Sequence, residues 1–227
     1  MSDYNFGKSI SKGETYDFRK DEGLNKIRVD LVWKGKADLD VCAFLVGEDG
    51  ILTNKEDFVF YNSETRWLTD SEEDVTKGKI EPFNLSIYRT KRNWKVATIP
   101  ISADQSVIGS PDVKGDEEED PEGEHCETMH VILDRVGNNI RAIVFGAAIF
   151  QDPKEPLTFE SVIDPAIIFT DEETGKTLFR YDIKENFGGE TALEAGRILL
   201  TNEGEWKFEP IGKGYNGGMP TLADIYA

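Results

Sequence analysis

Apolar residues recur along this chain mostly with a period of two. "IRVDLVW" puts Ile27, Val29, Leu31 and Trp33 on one face and Arg28 and Asp30 on the other, the pattern of a half-buried strand. "VCAFLV" (Val41–Val46) is apolar at every position and short, which predicts a central strand buried on both faces. "DFVFYN" (Asp57–Asn62), after the turn-like "GEDG", predicts another strand, as do "ETMHVIL" and "IRAIVFGAAIF" on either side of the Gly137–Asn139 turn. "PAIIF" and "TLFRYDI" flank the turn "TDEETGK", and "RILLT" and "EWKFEPIG" form a last hairpin across Asn202, Glu203 and Gly204. Only "MPTLADIYA" reads as a short helix, with Pro220 at its start. Many short strands separated by turn signals predict an all-β protein, an antiparallel β-sandwich with a short C-terminal helix. No helix–strand alternation and no glycine-rich phosphate loop points to a nucleotide-binding sheet.

A stretch at about 63–97 has a different character. It starts polar ("SETRWLTDSEEDVTKGK") and turns aromatic and basic ("PFNLSIYRTKRNWKVA"), with Arg89, Lys91, Arg92 and Lys95 forming the densest positive cluster. It reads as a hairpin-like insert in a single domain spanning 1–227, with charged residues at its turn.

The chain has 227 residues, a length that sandwiches often fill as one domain. Lys and Arg number 26 against 44 Asp and Glu, a net charge of −18. That balance disfavours a nucleic-acid backbone or an anionic membrane surface as partner and makes a divalent cation a plausible one. The N-terminal stretch has no apolar signal region and no segment approaches a membrane span, so the expected location is the cytoplasm, without membrane insertion. Cys42 and Cys126 allow one bridge at most.

Two acidic features could carry chemistry. In "KADLDVCAFLV", Asp38 and Asp40 are two apart on an extended chain and point to the same side, directly before a fully apolar run. Two like charges there repel unless a cation lies between them, and calcium, a hard ion taking several oxygens, suits such a pair. The other reading is a solvent-facing turn. The second feature is "KGDEEEDPEGEHCE" (Lys114–Glu127). Tested as an EF-hand loop from Asp116, it places Glu118, Asp120 and Glu127 well, but the obligatory sixth-position glycine is Pro121 and the flanks are strands. An EF-hand is excluded; a different calcium loop is not. Zinc finds no suitable spacing, since Cys126 and His130 stand roughly 13 Å apart along a strand. With His125 and His130 the only histidines, no GxSxG elbow and no distinguished carboxylate pair, the sequence reads as a non-enzyme.

These motifs in this order resemble the TerD family of bacterial tellurium-resistance and general stress proteins. The resemblance rests on "VDLVW", "DLDVCAFLV", "DFVFYN", "SADQSV" with the acidic loop after it, "ETMHVIL", "FRYDI", "ETALEAGRILL" and "GEWKFEPIGKGYNGGMPTLADIYA". It covers about Gly13 to Ala227 apart from the insert. It implies a β-sandwich that binds one or two Ca2+ ions and acts as an interaction module in stress complexes with protein partners, not as a catalyst. Carried over position by position, it implies metal ligands at Asp38, Asp40, Asp112, Glu124 and Glu127, with Asp116 supplying a further oxygen. Lys34 and Lys36 depart from the family pattern, standing where acids are usual. The alternative expectation is a metal-independent scaffold that grips a partner with the aromatic-basic insert.

Overall fold

The computed structural model describes residues 7–63, 66–68, 88–89, 96–109, 124–151, 153–184 and 187–227. Two six-stranded sheets face each other. The first runs in the order β1 (Lys8–Ile10), β13 (Thr177–Asp182), β12 (Val162–Asp171), β3 (Lys26–Gly35), β10 (Glu124–Ile132) and β9 (Val107–Gly109). The second runs β2 (Tyr16–Asp17), β15 (Trp206–Tyr215), β14 (Ala192–Leu200), β11 (Ala142–Ile149), β4 (Leu39–Val46) and β5 (Phe58–Phe60). The pairing is antiparallel except at one edge, where β1 lies parallel to β13. A small third sheet joins β6 (Arg66–Leu68), β8 (Val96–Pro100) and β7 (Tyr88–Arg89). Most of the expected insert lies outside the described residues. A helix, α1 (Gly218–Tyr226), is the last element of the chain.

The alternating strands do what their period requires. Ile27, Val29, Leu31 and Trp33 of β3 and Met129 and Val131 of β10 enter the core between the sheets. Phe169, Phe179 and Phe208 meet there with ring centroids 4.5–5.1 Å apart, pairs worth about 0.5–1.5 kcal/mol each beyond their buried area. Asp30, expected on an exposed face, is 8% exposed. It is held by Arg28 Nε and Thr128 Oγ1, each donating at 2.8 Å.

The fully apolar run is β4, second from the sheet edge rather than central. Leu39, Val41, Ala43 and Leu45 face the inter-sheet core, while Cys42, Phe44 and Val46 face outward into a second cluster with Leu222 and Tyr226 of α1. The helix is therefore the reason both faces of β4 are apolar. Its close approach needs Gly146 on β11: a Cβ there would lie 2.8 Å from Leu193 O and 3.2 Å from a Leu222 methyl. Gly217, the helix N-cap, offers no side-chain cap, and Thr191 Oγ1 accepts from the Gly217 and Gly218 N–H groups at 3.1 and 3.0 Å instead. Pro220 falls in the first turn, where its missing N–H costs no helical bond.

Cys42 is buried under the helix, Cys126 is exposed on the other sheet, and both are free thiols. No helix among the described residues is long and apolar enough to cross a membrane.

Candidate functional site

The turn between β3 and β4 decides how the acidic pair is presented. Gly35 takes a left-handed backbone (φ +103°), and a Cβ there would sit 2.3 Å from Ser161 O, so only glycine fits. Trp33 Nε1–H reaches across the turn to Ala37 O at 2.7 Å. His125 stacks on the Trp33 ring at 5.4 Å and places Nε2 3.1 Å from Gly35 O. Phe150 N–H donates to Asp38 O at 2.8 Å, fastening the head of β4 to the end of β11. Lys34 and Lys36 stay exposed on this turn.

Asp38 emerges exposed, Leu39 turns into the core, and Asp40 turns back to the outer face of the second sheet at 8% exposure. Glu127 alternates with Met129 and Val131 and so approaches from the inter-sheet side, also 8% exposed. Its Oε2 accepts the Val41 N–H at 2.6 Å. Asp38 and Asp40 thus stand at the start of β4 and Glu127 reaches its main chain at Val41, with Asp40 and Glu127 on opposite faces. Glu124 opens β10 in register with Lys34. Asp112 and Asp116 lie outside the described residues. Among the described residues no group of three His, Cys, Asp or Glu side chains is close enough to hold an ion.

The acids at this strand head offer carboxylate oxygens, the chemistry calcium prefers. The imidazoles are engaged elsewhere: His125 against Trp33, and His130 on the opposite face of β10. There His130 Nδ1 sits 3.1 and 3.2 Å from the two Glu172 oxygens and is aligned for a hydrogen bond with Oε2. Cys42 lies within reach of these charges. Burial pushes that thiol well above its ordinary range, its contact with the Gly146 main chain works the other way, and the charges of Asp40, Glu127 and Glu194 add to the rise. Cys42 is an inert neutral thiol.

Two features escape the sequence reading. Glu194 of β14 is 5% exposed under α1 and accepts a short hydrogen bond from the Tyr226 hydroxyl. A groove of about 700 Å³ opens between β5 and the N-terminal turn of α1. Phe58, Phe60, Tyr61, Phe150 and Met219 line it, and Asp40 is the one charged residue among its described lining. The signal for the first three is "DFVFYN", in which Phe58 and Phe60 share a face; they stack at 4.3 Å. Nothing in the sequence signals that Asp40 and α1 share one groove.

A TerD domain model matches residues 6–81 and 98–226 of the chain. The chain belongs to the TerD family. It is 30% identical to general stress protein 16U of Bacillus subtilis, over 96% of both chains. It is 26% identical to tellurium resistance protein TerD of Serratia marcescens, again over 96% of both. The crystal structure of a homologue of telluride resistance protein TerD from Streptomyces coelicolor A3(2) superposes with a TM-score of 0.57. That superposition covers 90% of this chain and 99% of the other at 18% identity, and supports the shared sandwich fold. The relatives' names place this TerD-family chain among stress and tellurium-resistance proteins.

Proposed function

We propose that this protein is a calcium-binding, non-catalytic interaction module of the TerD type, acting with protein partners in a stress response. The observation that carries the reading is the placing of Asp38 and Asp40 at the head of one strand whose main chain Glu127 holds at Val41. Two of these carboxylates are largely removed from water. Carboxylates near one another repel, and burial weakens the solvent that would otherwise screen them. A calcium ion supplies positive charge and takes six to eight oxygens at about 2.3–2.6 Å. Asp38 and Asp40 would hold it from the strand, and Asp112, Asp116 and Glu124 would add oxygens from the loop and its end. Glu127, with one oxygen fixed on the Val41 N–H, would position β4 for that shell. The Trp33–Gly35–Ala37 turn holds the strand head in place before any ion arrives, which lowers the ordering cost of binding.

Binding to the folded state alone stabilises it by linkage, about 2.7 kcal/mol when free calcium is a hundred times Kd. Thermal melts with and without calcium therefore separate clearly for the wild type. The double substitution Asp38→Asn and Asp40→Asn removes two charges from the shell and abolishes the calcium-induced rise in Tm. An undiminished rise in that variant refutes these two ligands.

A further inference from the structure

Asparagine followed by glycine occurs once in the sequence, at Asn216–Gly217, in the turn that leads from β15 into α1. The fold demands that glycine. Gly217 has φ +104°, and a Cβ there would lie 2.2 Å from Thr221 Oγ1. Both residues are exposed. The Asn216 carbonyl accepts from Thr221 Oγ1 at 2.8 Å, while its side-chain amide has no hydrogen-bond partner among the described residues.

This setting puts an electrophile and a nucleophile side by side. The Gly217 main-chain nitrogen gives its proton to base and attacks Asn216 Cγ. The Cγ–Nδ2 bond breaks, ammonia leaves, and a five-membered succinimide closes. Water then opens either carbonyl, giving aspartate or isoaspartate with one new negative charge. Nothing is oxidised or reduced. A side chain on the following residue would hinder the attack, and the glycine that the turn requires leaves the nitrogen open. The brake is Thr191, whose Oγ1 accepts the Gly217 and Gly218 N–H groups at 3.1 and 3.0 Å and so holds that nitrogen with its proton. The Thr191 main chain is itself fixed, donating to Tyr215 O and accepting from the Ile149 N–H, each at 2.9 Å.

We infer that Asn216 is a site of spontaneous deamidation whose rate Thr191 sets, and that its isoaspartate product releases α1. Isoaspartate adds a methylene to the main chain, which carries the Gly217 and Gly218 N–H groups off Thr191. The 9 residues of α1 are too few to persist as a helix without their docking contacts. Release uncovers Cys42 and Phe44, both fully buried in the cluster with Leu222 and Tyr226. Aspartate is the milder product, because its charge lies before a helix N-terminus, where the macrodipole favours it. None of this depends on the calcium reading.

The test is peptide mapping by mass spectrometry of protein aged in warm, mildly alkaline buffer, in a Cys126→Ser background that leaves Cys42 as the one thiol. The amide-to-acid mass gain is expected at Asn216, and Asn216→Gln lacks it. Thr191→Val keeps the side-chain shape, and the fold by circular dichroism, and ages about fivefold faster, the factor that one ordinary hydrogen bond corresponds to. No gain in the folded protein, while the urea-unfolded chain converts fully, overturns the site, and so does a gain that maps to other asparagines instead. Equal rates with and without Thr191→Val overturn the brake. The isoaspartate fraction, separated by ion exchange, reacts with N-ethylmaleimide at Cys42 about tenfold faster than the unmodified fraction, as loss of both Thr191 bonds implies. Asn216→Asp, which carries the charge without the added methylene, reacts like the unmodified fraction. An isoaspartate fraction that labels no faster than either of these overturns the release of α1.

Discussion

Gly35 shows how one residue can govern a site it does not join. Its φ of +103° and the 2.3 Å gap to Ser161 O make any side chain both strained and overpacked. Gly35→Ala should lower unfolding free energy by about 2 kcal/mol or more in urea titration. Gly50 is a fitting comparison, since its φ is +77° but no atom lies within 4 Å of its Cβ position. Gly50→Ala carries only the left-handed cost of roughly 1–2 kcal/mol. Equal losses at the two sites would mean that the Ser161 contact contributes nothing. The turn itself was readable, because "WKGKADLD" places a glycine between a strand end and an acidic pair. Partners distant in sequence were not: Glu127 meets the Val41 N–H across 86 residues, and His125 reaches Gly35 O across 90. Such contacts depend on which strands the two sheets bring together, and a period of two says nothing about that.

Among the elements, β4 and α1 are one unit. The apolar run of β4 revealed its burial but not what covers its outer face. Pro220 at its start made α1 legible as a short helix and left its docking site open. Tyr226 ties the two together, stacking on Phe44 at 4.6 Å and donating its hydroxyl to Glu194. Burial, then the Glu194 hydrogen bond and charge, raise the Tyr226 phenol far above its ordinary value. A raised folded-state pKa means the contribution is fully present below the unfolded value near 10 and is lost as pH climbs past it. Thermal melts should therefore show a decline in Tm above about pH 10, and Tyr226→Phe should shrink that decline. Tyr16 leaves a remaining slope, because burial and its 2.7 Å bond to Asp21 raise it in the same sense. At neutral pH the same variant loses about 1–3 kcal/mol, since Glu194 keeps its burial and loses a donor. A Tyr226→Phe profile superimposable on wild type from pH 8 to pH 11, roughly the span of tyrosine titration, would contradict this coupling.

At the scale of the whole molecule, the sandwich was legible because its strands, turns and final helix announce themselves locally. The parallel β1–β13 edge was not, since three residues carry too little pattern to choose a partner. Of the candidate site, the place of Asp38 and Asp40 at the entrance of a strand was legible, but that Asp40 and Glu127 lie on opposite faces there follows only from the stacking of the sheets. On the proposed reading, that strand head is a site for positive charge. Calcium binding is the claim on which that reading depends. The measurement that tests it is calorimetric titration of the chelator-stripped protein with calcium, with magnesium as control. Saturable heat with calcium that magnesium does not reproduce is the predicted result. No saturable heat at millimolar calcium would contradict it, and would make the acids at the head of β4 a feature of solubility and folding alone.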